Sequence, residues 1–185
     1  MGPMDDDQTI ALCLAGDREA FEMIVNKYQA GVLTLAWSIL GNRAEAEDAA
    51  QEAFFRAYVN LQNFDRAKDF KNWLYAIASK RCLDRIRKVK TEKKYRFRLA
   101  GATASVMSGL ETEPGTDESA VLSPLLKKLT VKERLALSLS MNEGYTAAEI
   151  AEILHCAEST ARVHLFNAKR KLRKGLERNS YVQNL

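Results

Sequence analysis

The sequence predicts an all-α protein of two small helical domains joined by a flexible linker, the C-terminal one a helix-turn-helix. Three observations lead there. Helix breakers are scarce, with nine Gly and three Pro in 185 residues, while Ala, Leu, Glu, Lys and Arg abound. No segment alternates apolar and polar residues convincingly enough to mark a strand. A stretch at 99–123 with no Lys or Arg divides two segments of helical period. Apolar residues at 46% suffice for cores, and charged residues at 28% are ordinary for a soluble chain. The expected boundaries are 5–94 for the first domain, 95–121 for the linker and 122–178 for the second.

The elements follow in order. Residues 17–40 carry Phe21, Ile24, Val25, Tyr28, Val32, Leu35, Ala36 and Ile39 at mixed three- and four-residue steps, one wide apolar face. Gly41-Asn42 ends this helix, because Gly enters a left-handed terminus at little cost. A second helix is expected from about Glu45 to Leu61 and a third from about Phe70 to Val89. Between them, residues 62–69 read as a polar loop around one aromatic residue, Phe64. Residues 99–123 then hold Gly101, Gly109, Pro114, Gly115 and the acids Glu111, Glu113, Asp117 and Glu118, a linker composition.

Helical pattern resumes from about Leu122 to Leu176. Thr146-Ala-Ala-Glu149 matches a capping box, in which each side chain satisfies the other residue's backbone N–H. Ile150, Ile153 and Leu154 give that helix its buried stripe. His155 to Glu158 form a short connector, and Ser159 is expected to cap the next helix. There Ala161, Leu165, Ala168, Leu172 and Leu176 fall on one face. Ser159, Val163, Phe166, Asn167 and Arg170 then lie opposite, with Arg162 and His164 at the flanks. Polar residues leading the second of two tightly joined helices suit a major groove. From Ser159 to Arg178 seven Lys and Arg face one acid, Glu177, so the helix is drawn to phosphates whatever the sequence.

Charge is segregated elsewhere too. Residues 80–98 hold ten Lys and Arg against Asp84 and Glu92, with Trp73, Tyr75, Tyr95 and Phe97 nearby. A basic helix with aromatics suits a single-stranded backbone track, although Phe70, Trp73, Leu74 and Ile77 also read as core. On the second helix Glu45, Glu47, Asp48 and Glu52 precede any basic residue. The positive helix N-terminus favours some of these acids. The excess beyond one turn predicts a docking surface for a basic partner helix.

Other function classes find little support. Cys13, Cys82 and Cys156 form no CxxC pair, and two histidines give no metal-ligand spacing, so a reducing cytoplasm is expected and no metal or cofactor. No apolar run approaches the ~20 residues that span a bilayer, so no membrane insertion is expected, and no secretory signal opens the chain. No catalytic triad or glycine-rich phosphate loop is evident, so no enzyme is expected. A one-component helix-turn-helix regulator acting without polymerase remains the alternative, and an RNA-binding protein a weaker one.

The residues are nonetheless similar to a known family. Residues 46–58, Ala-Glu-Asp-Ala-Ala-Gln-Glu-Ala-Phe-Phe-Arg-Ala-Tyr, resemble the polymerase-binding helix of bacterial sigma factors. Residues 70–78, Phe-Lys-Asn-Trp-Leu-Tyr-Ala-Ile-Ala, followed by Leu83 to Arg87, resemble their minus-ten-reading helix. Thr146 to Leu172 resembles their minus-thirty-five-reading helix-turn-helix. The chain's length resembles that of the small extracytoplasmic-function group, sigma factors that direct core polymerase to promoters and help open the minus-ten region.

The resemblance implies a division of labour. Glu47, Asp48, Gln51 and Glu52 would hold the clamp helices of the polymerase largest subunit, with the flap as a further contact. Asn63, Phe64 and Asp65, with Lys80, Arg81, Arg85, Arg87 and Lys88, would engage minus-ten DNA, Phe64 packing against an extruded base. Ser159, Thr160, Arg162, Val163, His164, Phe166, Asn167 and Arg170 would face minus-thirty-five DNA. An anti-sigma factor is the further partner implied. The chain departs from the family pattern at Lys80, commonly Asn, at His155, commonly Gly, and at His164 and Asn167, commonly Arg.

Overall fold

A computed structural model describes residues 5–99 and 124–183. Helix α1 spans Asp6–Leu14, α2 Arg18–Leu40, α3 Arg43–Val59 and α4 Phe70–Leu99, with a 3₁₀ turn at Leu61–Asn63. After one turn of helix at 124–127 come α5 Val131–Glu143, α6 Ala147–Ile153 and α7 Glu158–Gln183. No strand occurs among the described residues.

Local chemistry sets the boundaries. Asp17 caps α2, its Oδ1 accepting from the Glu19 and Ala20 amides at 2.9 and 3.2 Å. Gly41 ends α2 at φ 68°, and Asn42 caps α3 by accepting from the Glu45 amide at 2.9 Å. Thr130 with Glu133 and Thr146 with Glu149 form capping boxes on α5 and α6. Helix α4 runs well past the expected end at Val89, because residues 90–99 contain no Gly or Pro. Residues 95–99 of the expected linker therefore belong to α4, and the remainder, 100–121, lies outside the described residues.

In the first unit, α3 turns an almost purely alanine face inward. Ala46, Ala49, Ala50, Ala53 and Ala57 are buried beside Phe54. They pack on the large residues of α2 (Ile24, Tyr28, Val32, Leu35 and Ile39) and of α4 (Phe70, Leu74 and Tyr75). Tyr28 donates to Asp6, which also pairs with Lys27 at 2.7 Å, and these contacts tie α1 to α2.

In the second unit, α7 seats Ala161 and Ala168 fully inside, with Leu165 and Leu172 partly buried. The stripe continues to Gly175, against which Leu125 packs, while Leu176 is 43% exposed. This corrects the expectation for Leu176: after Leu172 the buried position comes three residues on rather than four. Helix α7 also starts at Glu158, so Ser159 sits within its first turn and does not cap it. Lys171 closes the unit on Glu133 at 2.7 Å. Burial alone would raise the Glu133 carboxyl, but Lys171 and the Thr130 amide bring it below the usual range.

The two units share a core. Helix α5 lies along α2, and α6 rests on α4. Ser38 donates to the Ser138 hydroxyl at 3.0 Å, and the Tyr75 and Tyr145 rings meet edge-on at 5.7 Å. Lys71 pairs with Glu143 at 3.0 Å and stands over the Tyr145 ring. Gly31 permits this approach: a Cβ there would meet the Tyr75 hydroxyl and lie 2.6 Å from the Glu143 carboxylate.

The connector between α6 and α7 carries His155 at φ 48°, a left-handed conformation that favours Gly. A left-handed non-glycine residue costs about 1–2 kcal/mol, partly offset because Gly loses more freedom on folding. His155→Gly is therefore expected to stabilise the chain by about 0.5–1 kcal/mol, read as a rise of about 1–3 °C in a thermal melt.

Candidate nucleic-acid interface

The helix-turn-helix presents its second helix outward. Burial of Ala161, Leu165, Ala168 and Leu172 against α5 and α6 turns the other side of α7 to solvent. Val163 and Phe166 are 54% and 64% exposed and set apolar surface among the polar side chains of this face. Arg162 is exposed, its Nε 3.0 Å from Glu158 Oε1. Arg170 stacks over the Phe166 ring at 5.6 Å and donates to Asn167 Oδ1 at 3.2 Å. Ser159 is exposed, and Thr160 and Asn167 are half-buried. His164 is half-buried, and burial together with Lys132 holds its imidazole below the usual range, so it offers a neutral ring. The eight residues expected to read DNA here thus lie on one accessible helix, most of them fully open.

The second basic surface is on α4. Lys80, Arg87 and Lys88 are exposed, and Arg81 and Arg85 are half-buried. Three of these cations meet carboxylates of the same chain. Arg81 and Arg87 flank Asp84 at 2.9 and 3.1 Å. Arg85 reaches across to α3, its Nε on Glu45 and its Nη2 on Asp48 at 2.9 Å.

In the loop before α4, Asp65 accepts from the Ala67 amide at 3.1 Å and Asp69 from the Asn72 amide at 2.7 Å. Asn63 and Asp65 are exposed, but Phe64 is only 7% exposed. Its ring packs against Trp73 at 5.0 Å and Phe70 at 5.4 Å. This corrects the expectation that Phe64 offers its face to an extruded base: the ring props the loop from beneath. The same cluster places Phe70 and Leu74 in the core, with Trp73 and Ile77 partly buried there.

The acidic face of α3 stands beside this basic surface. Glu47 pairs with Arg43 at 2.9 Å, Glu52 with Arg56 at 2.7 Å, and Gln51 is exposed. An open groove of about 670 Å³ runs between α3 and α4, lined by Asp48, Gln51, Glu52 and Phe55 on one side and Arg81, Asp84, Arg85 and Lys88 on the other.

Comparison with known proteins identifies the arrangement. Residues 24–92 match the family described as Sigma-70 region 2, and residues 121–172 match Sigma-70, region 4. The chain is 37% identical over 170 residues to the ECF RNA polymerase sigma factor SigW of Bacillus subtilis, covering 87% of this chain and 91% of that protein. The chain belongs to the extracytoplasmic-function sigma factors. Its fold is similar to that of CnrH in complex with the cytosolic domain of CnrY, with a TM-score of 0.71, 22% identity and coverage of 93% of this chain and 97% of that one. It is also similar to the sigma factor RpoE in complex with the anti-sigma factor NepR from Bartonella quintana, with a TM-score of 0.67, 20% identity and coverage of 85% and 96%. A transcription-initiation sigma factor replaces the one-component regulator as the reading of the whole chain.

Two features escaped the sequence analysis. Phe55 and Val59 are 60% and 57% exposed and extend the acidic face of this sigma factor with apolar surface. The Phe54-Phe55 pair held a weak signal, since neighbouring helix positions point about 100° apart and two large rings seldom share one narrow face. The bridge from Arg85 to Glu45 and Asp48 left no such trace, because no local period links residues on different helices.

Arg162 leads the exposed face and Lys174 stands exposed three turns further along. Arg162→Ala should weaken binding to a minus-thirty-five element by about 1–3 kcal/mol and relax its sequence preference. Lys174→Ala should weaken all duplexes about equally. Fluorescence anisotropy on matched and scrambled duplexes distinguishes the two, and an unaltered preference in Arg162→Ala would contradict the groove assignment.

Proposed function

We infer that this sigma factor docks on core RNA polymerase through the α3 face and reads a promoter at two places with α4 and α7. The observation that carries the reading is the outward display of an acidic-apolar face on α3, a basic face on α4 beside it, and a second basic face on α7. Glu47, Asp48, Gln51 and Glu52 would meet basic clamp helices of the largest subunit, where opposite charge sets register and encounter rate. The flap would be a further contact. Asn63, Asp65 and Lys80 would border the extruded minus-ten base, over a floor held by Phe64, while Arg81, Arg85, Arg87 and Lys88 follow the strand backbone. Lys80 offers donors but no acceptor, unlike the related Asn, so it favours base edges that accept. On α7, Ser159, Thr160, Arg162, Val163, His164, Phe166, Asn167 and Arg170 would face the minus-thirty-five groove.

All of this is binding, and the chemistry of initiation would belong to the polymerase. No helix among the described residues is long and apolar enough to cross a membrane, and the work of the protein places it in the cytoplasm with the nucleoid. An anti-sigma factor that covers the α3 face is the regulator this reading calls for.

Docking is tested by charge reversal. Asp48→Arg with Glu52→Arg should abolish co-purification with core polymerase. Helical content should hold and stability fall by only about 1–2 kcal/mol, because each reversal replaces a weak surface ion pair, Asp48 with Arg85 and Glu52 with Arg56, by two like charges. Polymerase retained by the folded double variant would overturn the assignment of α3.

A further inference from the structure

Arg85 touches both working surfaces at once. It belongs to the basic run of α4, yet its guanidinium lies on Glu45 and Asp48 of α3. A guanidinium stays charged at any physiological pH, so its charge is matched by carboxylate, phosphate or water. The other paired cations of this run differ. Arg81 and Arg87 share Asp84, three residues away on their own helix, and a partner seated on α3 would leave those pairs as they are. Among the described residues, Arg85 is the cation of this run with an acceptor, Asp48, on the face assigned to polymerase. Asp48 is the more open of its two acceptors, with a side chain 61% exposed.

We propose that Arg85 is a coupling residue: it is held on Glu45 and Asp48 in the free protein and released towards promoter phosphates when a basic polymerase helix takes Asp48. The inference rests on the docking role of α3. The competition is mutual. Arg85 weakens the acidic face for polymerase, and the acidic face weakens α4 for DNA. Reciprocity of linked equilibria then requires polymerase to strengthen strand binding by the same factor as a bound strand strengthens polymerase binding. Partly exposed ion pairs are individually weak, so the coupling is expected at about two- to tenfold. That is enough to lower stray binding of the free protein to nucleic acid without blocking the assembled complex.

The test uses the full chain and a fluorescent single-stranded 20-mer of mixed sequence, without polymerase. The double variant Glu45→Gln, Asp48→Asn should tighten strand binding about two- to tenfold and steepen its salt dependence by about 0.7, one further phosphate contact. Removing two negative charges favours DNA in any case, so the deciding comparison is with Arg85→Gln. In the wild-type background this substitution should weaken strand binding much less than it does in the double variant. Added to the double variant, it should remove most of the gain. Equal losses in both backgrounds would overturn the proposal, since Arg85 would then be equally available with and without its carboxylates. In a separate titration of core polymerase, Arg85→Gln should bind about two- to tenfold more tightly. Weaker binding would also overturn the proposal, making Arg85 a residue that presents Asp48. The strand assay contains no polymerase. Equal losses there, together with failed co-purification of the Asp48→Arg, Glu52→Arg variant, would therefore reject the coupling and leave the docking role standing.

Discussion

The close seating of α3 on α2 and α4 is the constraint on which the rest of the molecule depends. Alanine makes it possible: five buried alanines leave little side-chain bulk between the helix backbones. Helix pairs pack at about 8–10 Å depending on the side chains between them, and small ones bring them to the near end. The same choice leaves α3 little apolar surface of its own to bury. Its outer face is free to carry Glu47, Asp48, Gln51 and Glu52 without harm to the core. Close approach also brings α3 acids within reach of α4 bases, which is why Arg85 can span the gap between them.

From that seating follows a layered use of α4. Its inner face, from Phe70 through Leu74, Ala78 and Cys82, is core. Burial in that core pushes the Cys82 thiol up to about 12, so it behaves as a small apolar group and offers no thiolate. The outer face carries the cations. Its N-terminal end holds Lys71, which anchors the second unit through Glu143 and Tyr145. One helix therefore joins both units and borders both charged surfaces. The outer face of α7 remains open in this packed arrangement, with Arg162, Val163 and Phe166 all exposed.

Much of this was legible in the sequence wherever the signal is local. Gly41 ends α2 and Thr146 with Glu149 opens α6, because caps are written within a few residues. The apolar face of α2 and the start of the α7 stripe follow from period alone. Errors arose where a neighbouring element decides. Leu176 gave way to Gly175 because Leu125 fills the space there. Phe64 went inward because Phe70 and Trp73 form a pocket for it, although a lone aromatic in a polar loop reads as exposed. The packing of α5 on α2 was not legible at all. It rests on Gly31, Ser38 and Ser138, and the contact of Tyr75 with Tyr145 brings α4 to the same seam; none of these residues carries a pattern by itself. Of the candidate site, the residue types and their helices were legible, but the internal partners of the charges were not.

The central claim is that one chain directs polymerase by reading two separated promoter elements. Run-off transcription by core polymerase with this protein, on a template library randomised across both elements, tests it most directly. The account predicts transcripts that require the protein and come from templates enriched in two short sequences at one fixed spacing. Transcripts independent of the protein, or enrichment of a single sequence at variable distance from the start, would contradict it.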